Sequence, residues 1–280
     1  MKDILQSSVQ KLDIIIWIIT LSFFLVSAWI LGWDIQGSFI GALGIIVLMF
    51  FVGLSIELIL SALKHVKWLG AITGFITNGP EALVLIVWLI TGNVLFAAST
   101  PLGSNVMNPI LLILALIVSG LIVGLKDFKY KLFFIASFII TGAFAIGFFF
   151  IPESWYFAWI IIAGAVSIAL FRKKFDYQEE SVAAWESASR LFLPIGVIIL
   201  LVSGYFLDPV VWYTAEASKS PKWLIWFLVL ATLTSWPEFK SVLSLFSKWK
   251  TLDGFVNIFV SNITNIWLAA AWVFVWLMIK

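Results

Sequence analysis

Nine stretches of about 20 mostly apolar residues, parted by short polar breaks, run the length of this chain. They cover approximately 13–33, 38–63, 68–91, 97–124, 130–150, 154–171, 190–213, 222–247 and 253–279. A helix of about 20 apolar residues matches the hydrocarbon thickness of a bilayer. A transmembrane barrel needs strands that alternate apolar and polar side chains, and runs such as Ile14-Ile15-Ile16-Trp17-Ile18-Ile19 do not alternate. Composition agrees: 62% of residues are hydrophobic and 11% charged, against about 25% charged in soluble domains. A water-soluble globule would have too little polar surface to cover itself. The expected fold is an all-α polytopic membrane protein of about nine transmembrane helices. The first apolar run, at roughly 18 residues, exceeds a signal-peptide core and no A-x-A-like site follows it, so residues 1–37 are read as an extra, retained helix.

The basic residues orient these spans, because Lys and Arg gather on the cytoplasmic side. With the N-terminus inside, 13 of the 17 Lys and Arg fall in or beside cytoplasmic segments, the densest group being Arg172, Lys173, Lys174 and Arg190. Lys219, Lys222 and Lys280 lie outside, and Lys240 falls within a span. The expected location is the inner membrane of a bacterial or archaeal cell. Trp29, Trp33, Trp68, Trp155 and Trp223 sit near span ends, as an interfacial aromatic belt requires.

Several functions are excluded early. A net charge of +2 with no basic run gives no footprint for nucleic acid. Without cysteine, and with His65 as the one histidine, thiolate and multi-His metal sites are impossible. No G-x-S-x-G or H-E-x-x-H motif and no intramembrane Asp pair occurs, so an enzyme is not expected, nor a resident cofactor. The expected partners are the lipid bilayer and inorganic cations, with self-association open.

The polar residues inside the spans form a pattern. Thr77-Asn78-Gly79-Pro80-Glu81 is followed by Ser104-Asn105-Val106-Met107-Asn108; later, Thr234-Ser235-Trp236-Pro237-Glu238 is followed by Ser261-Asn262-Ile263-Thr264-Asn265. Thr, Pro, Glu, Ser, Asn and Asn recur at one offset of 157 positions. Such self-similarity marks an internal duplication. The copies lie in spans three and four and in spans eight and nine. Equivalent spans are therefore five crossings apart, an odd number, so the second copy is inverted in the membrane. Inverted repeats with broken helices meeting at the midplane are a transporter architecture. The chain then divides into the N-terminal helix (1–37), a first repeat half (38–171), a cytoplasmic linker (172–189) and a second, shortened half (190–280).

A carboxylate at the bilayer centre costs several kcal/mol unless it is paired or liganded, which makes Glu81 and Glu238 candidate functional groups. Pro80 and Pro237 have no N–H and clash with the carbonyl four residues earlier, which opens the helices around residues 76–77 and 233–234. Ser104 and Asn108 share a helix face at i,i+4 spacing, as do Ser261 and Asn265. Packed about a pseudo-two-fold, Glu81, Glu238, Thr77, Thr234, Ser104, Ser261, Asn108 and Asn265 form a site rich in oxygen, which suits hard cations. Two carboxylates balance one Ca²⁺ or two monovalent charges, the physical basis of exchange.

These motifs resemble those of the calcium/cation antiporter superfamily, whose repeats read approximately G-T-S-x-P-E followed by G-S-N-x-x-N or G-S-N-x-x-D. Thr77, Pro80, Glu81, Gly103, Ser104, Asn105 and Asn108 match the first repeat, and Thr234, Ser235, Pro237, Glu238, Ser261, Asn262 and Asn265 the second. Ile76, Leu233 and Val260 stand where the motifs have glycine, and Asn78 where the first has serine. The resemblance implies an antiporter exchanging Ca²⁺ for Na⁺ or H⁺. Glu81, Glu238 and the Thr77 and Thr234 carbonyls would hold Ca²⁺; the flanking Glu, Thr and Ser oxygens would hold Na⁺, with Asn108 and Asn265 near the centre. Two alternatives stay open: a monovalent Na⁺/H⁺ antiporter, and a non-transporting homologue that acts as a membrane binding or scaffold protein. Lys240 motivates the second, either turned away and snorkelling or acting as a tethered cation. Glu57 is read as an ion-path or a buried structural group, and His65 as an interfacial residue.

Overall fold

The computed structural model describes residues 2–31, 33–83, 85, 94–176, 191–220 and 231–280. Every regular element among them is helical. The α-helices are α1 (Lys2–Ser8), α2 (Lys11–Ile30), α3 (Ile35–Leu63), α4 (Leu69–Thr77), α5 (Val94–Val118), α6 (Lys131–Phe148), α7 (Tyr156–Phe171), α8 (Phe192–Ser218), α9 (Ala231–Thr234), α10 (Trp236–Ser247) and α11 (Thr251–Ile279). Short 3-10 turns occupy Val123–Asp127 and Glu153–Trp155. Among the described residues, seven helices are long and apolar enough to cross a membrane, an architecture compatible with an all-α multi-pass membrane protein. They fall on seven of the nine expected spans. The other two, 68–91 and 222–247, lie partly outside the described residues, as do Trp223 and most of the expected linker.

Where those two spans are described, the helix is interrupted. α4 ends at Thr77, Asn78 is a turn, and residues 79–83 are helical again; α9 ends at Thr234, Ser235 is a turn, and α10 begins at Trp236. The interruptions fall just beyond the positions expected from a proline kink. Pro80 and Pro237 occupy the first turn of the segment that follows, where a missing N–H deprives no helical bond. The Ala82 N–H donates to the Asn78 carbonyl at 3.0 Å, so Asn78 both ends one helix and begins the next. The offset of the duplicated motifs recurs in the helix limits: α3 and α8 start 157 residues apart, and α4 and α9 end 157 apart.

The chain forms two compact units, one of Met1–Ala62 with Ala188–Pro237 and one of Leu63–Ser187 with Glu238–Lys280. In the first, α2 packs on α8. Gly44 of α3 lets α8 approach until an added Cβ would stand 3.0 Å from Val210 Cγ1. Glu57 is buried on α3.

In the second unit α11 is the axis, packed against α4, α5, α6 and α7. Lipid supplies little hydrophobic drive between helices, so close packing and interhelical hydrogen bonds hold them. Gly74 of α4 shows the packing limit: a Cβ there would lie 2.5 Å from the Asn257 carbonyl oxygen of α11. At one end of α11, Phe255 and Phe259 join Phe128, Phe133 and Phe134, and Phe175 stacks on Phe134 with ring centroids 5.3 Å apart. The loop after α7 is also pinned there by Asp176, which accepts from Lys129 Nζ at 2.7 Å and Tyr130 Oη at 3.0 Å. At the other end Phe148, Tyr156, Trp159 and Trp272 are buried together. His65 is exposed in the turn after α3, as the interfacial reading expects.

Candidate intramembrane cation site

Seven of the eight residues expected at the site lie in the second unit: Thr77, Glu81, Ser104, Asn108, Glu238, Ser261 and Asn265. All seven are at most 1% exposed. Thr234 ends α9 in the first unit. Glu81 lies in the first turn of the segment after the break at Asn78, and Glu238 in the first turn of α10. Both carboxyls therefore sit at N-terminal helix ends, whose unpaired N–H groups favour negative charge. They are close enough to interact electrostatically, with Ser104 beside Glu81 and Thr77 beside Glu238.

The Glu238 side is hydrogen-bonded. Ser261 Oγ lies 3.2 Å from Glu238 Oε1 and 3.0 Å from Asn78 Oδ1, and it accepts from Asn108 Nδ2 at 3.0 Å. Asn78 Nδ2 also donates to the Ser261 and Gly74 carbonyls, each at 3.1 Å. The break residue is thus a bracket that ties the end of α4 to α11.

The two copies meet at a reciprocal pair. Asn105 Nδ2 donates to the Asn262 carbonyl at 3.0 Å, and Asn262 Nδ2 donates to the Asn105 carbonyl at 3.4 Å. Residue i contacting j while j contacts i is what a two-fold relation produces. Pro109 accounts for half of the pair, because the Asn105 carbonyl would otherwise accept the N–H of residue 109, which proline lacks. Asn262 is held further by Asn108 Nδ2, which donates to its Oδ1 at 3.0 Å, and by Thr141 Oγ1, which accepts from its Nδ2 at 3.2 Å.

The Glu81 side differs. Ser104 Oγ donates to the Thr100 carbonyl at 3.3 Å. Neither Glu81 oxygen has a hydrogen-bond partner, and the same holds for Glu238 Oε2, Asn108 Oδ1 and Asn265 Oδ1. Buried polar atoms are nearly always partnered. Asn265 Nδ2 and Asn105 Oδ1 are without a partner as well; the carboxylate and amide oxygens among these atoms are of the kind a hard cation takes, six to eight of them in the case of Ca²⁺. Among the described residues no group of three or more His, Cys, Asp and Glu comes together, so a cation here would rest on two carboxylates with amide and hydroxyl oxygens.

Asn78, Asn105 and Asn262 stood in the repeated motifs without an expected ligand role, and their part as brackets emerges from the contacts. Asn257, whose Nδ2 donates to Thr73 Oγ1 and Ser241 Oγ, carried a signal in its spacing, four residues before Ser261. Thr141, on α6 outside the repeated motifs, carried none. Lys240 is 2% exposed, so its side chain does not snorkel to the surface.

Compared with protein-family models, curated proteins and solved structures, the chain finds no match.

Proposed function

We propose that this protein is a secondary cation antiporter of the cell membrane that exchanges Ca²⁺ for Na⁺ or H⁺ by alternating access around Glu81 and Glu238. The single observation that carries the reading is the pair of buried carboxyls, Glu81 and Glu238, close enough to interact and with oxygens left without a hydrogen bond, each residue having its counterpart in the other copy of a duplicated motif. The recurring offset of the helix limits and the reciprocal Asn105 and Asn262 pair support two repeats related by a pseudo-two-fold. Five crossings between equivalent spans make those repeats inverted, with nine spans in all and the N-terminus in the cytoplasm. The resemblance to the calcium/cation antiporter superfamily agrees with this reading.

Exchange follows from charge. Two ionised carboxylates without a counter-ion are costly at the bilayer centre, so the site crosses between its inward and outward states only when Ca²⁺, or two monovalent cations or protons, balance them. Calorimetry on the purified protein tests the site: Ca²⁺ binding is expected, and Glu81→Gln and Glu238→Gln are each expected to abolish it. Equal binding by both variants would overturn the assignment.

A second reading is favoured by Lys240, which is buried two residues after Glu238 in the same unit. Were its side chain to act as a tethered cation beside the carboxylates, the site would suit monovalent Na⁺/H⁺ exchange, and Na⁺ and not Ca²⁺ would bind in the same titration.

A further inference from the structure

Two connecting segments meet at the end of the second unit where α6 begins and α7 ends. Residues 121–131, between α5 and α6, carry Lys126, Lys129 and Lys131, and Arg172, Lys173 and Lys174 follow α7 directly. Five of these six basic residues are exposed and Lys131 is half-buried. Against them, residues 121–131 and 172–176 hold two acidic groups, Asp127 and Asp176.

These charges are held in place by contacts between the segments. Phe175 fastens the second segment by stacking on Phe134 of α6, with ring centroids 5.3 Å apart. Asp176 ties it to the first segment: its carboxylate accepts from Lys129 Nζ at 2.7 Å, and its backbone N–H donates to Tyr130 Oη at 3.0 Å. Lys173 Nζ thereby comes to 5.9 Å from the centroid of the Phe133 ring, close enough to Asp176 to act on its carboxyl. Lys131 Nζ donates to the Lys126 carbonyl.

An apolar track starts at this patch. Leu132, Ile135 and Ile139 of α6 are 74%, 48% and 66% exposed, and their spacing of three and four residues puts them on one helix face. Ile122 and Val123 of the first segment are exposed as well.

We propose that residues 121–131 and 172–176 together bind the headgroup of an anionic phospholipid, whose acyl chains lie along Leu132, Ile135 and Ile139. The phosphodiester supplies the negative charge that six basic and two acidic groups leave unbalanced, and the exposed track of α6 leads from the patch along the helix as an acyl chain leads from its headgroup. Each Lys or Arg near an anionic membrane surface strengthens attraction by about fivefold. Basic residues gather on one side of any multi-pass protein, but attraction of that diffuse kind depends on neither the Phe175 anchor nor the Tyr130 tie. Lipid binding here is independent of the antiporter reading.

The test follows thermal unfolding of the full-length protein in detergent with added phosphatidylglycerol, phosphatidylcholine or soluble glycerophosphoglycerol. A saturable rise in Tm is expected with phosphatidylglycerol alone. Arg172→Gln/Lys173→Gln/Lys174→Gln, confined to an exposed segment, is expected to raise the half-saturating concentration by at least about tenfold. Phe175→Ala and the milder Tyr130→Phe leave the charge unchanged and are each expected to raise it severalfold, with each variant referred to its own Tm without lipid. An equal rise with phosphatidylcholine overturns the proposal, and so does an equal rise with glycerophosphoglycerol, which would make the patch a site for soluble phosphates. Half-saturation unmoved by the triple substitution overturns it too. Weakening by the triple substitution but by neither Phe175→Ala nor Tyr130→Phe would reduce the patch to diffuse charge and overturn the built site.

Discussion

Asn78 is the most exacting point at which to perturb this molecule, because one side chain holds a helix end, a neighbouring helix and a serine that touches a carboxylate. Asn78→Ala removes three hydrogen bonds: from Nδ2 to the Gly74 and Ser261 carbonyls, and from Ser261 Oγ to Oδ1. Interhelical hydrogen bonds in membrane proteins average about 0.6 kcal/mol by double-mutant cycles, with a maximum near 1.7. Two of the three, those with Ser261, are interhelical and the third runs back along α4; at a similar value each, the three give roughly 2 kcal/mol, or about a 30-fold shift in the folding equilibrium. Reversible unfolding in mixed micelles, titrated with SDS, reads this directly. The Asn78/Ser261 cycle isolates the single side-chain bond the two residues share, so its coupling should be near 0.6 kcal/mol. A loss below about 0.5 kcal/mol for Asn78→Ala, the range of an ordinary surface substitution, would refute the bracket and with it the claim that the break is built to position Ser261 against Glu238.

Other outcomes follow from the same contacts. Gly74→Ala places a methyl 2.5 Å from the Asn257 carbonyl oxygen and should destabilise by about 1–3 kcal/mol through forced separation of α4 and α11, measured in the same micelles. Asn262→Leu empties one side of the reciprocal pair and strands Asn108 Nδ2 on a single acceptor; stability should fall by about 1–2 kcal/mol, and Ca²⁺ affinity by calorimetry should fall with it. The Asp176 carboxyl is held below its ordinary range by hydrogen bonds from Lys129 and Tyr130 and by the Lys129 charge, while Lys129 is raised by the same partner. Folding stability from this latch is thus present above the usual carboxylate range and is lost as pH falls through the lowered value of Asp176; at the other extreme it is lost as pH rises through the raised value of Lys129. Protease cleavage near residue 176 should therefore accelerate in acid, and Asp176→Asn should remove that acid dependence.

Much of this architecture is written into the chain at the level of chemistry that a bilayer enforces. Apolar runs declare helices because no other element satisfies its own backbone in lipid, and α2, α3 and α8 fall where those runs predict. Glu81 and Glu238 were legible for the complementary reason, since a membrane tolerates a carboxylate only with cause. The exact place of the helix breaks was less legible. Proline announces an interruption, but whether it kinks one helix or opens the next depends on what caps the gap, and at residue 78 an asparagine does so through partners on α11. The brackets are harder still. Asn105, Asn262 and Asn78 carry amides that look alike in sequence, and only their three-dimensional partners separate an amide that holds a helix from one whose oxygen is left over. Thr141 joins the network from outside the repeated motifs, where no identity at the offset points to it. A helix wheel turns Lys240 roughly 200° from Glu238 and so predicts an outward side chain; the packing of the second unit buries it instead.

The central claim is that Glu81 and Glu238 form an exchange site for Ca²⁺. Reconstituted into liposomes and loaded with sodium or held at an acidic interior, the protein should take up radiolabelled calcium under at least one of the two gradients, and Glu81→Gln and Glu238→Gln should each abolish the uptake. Folded wild-type protein that moves no calcium under either gradient, or variants that retain the full rate, would contradict it.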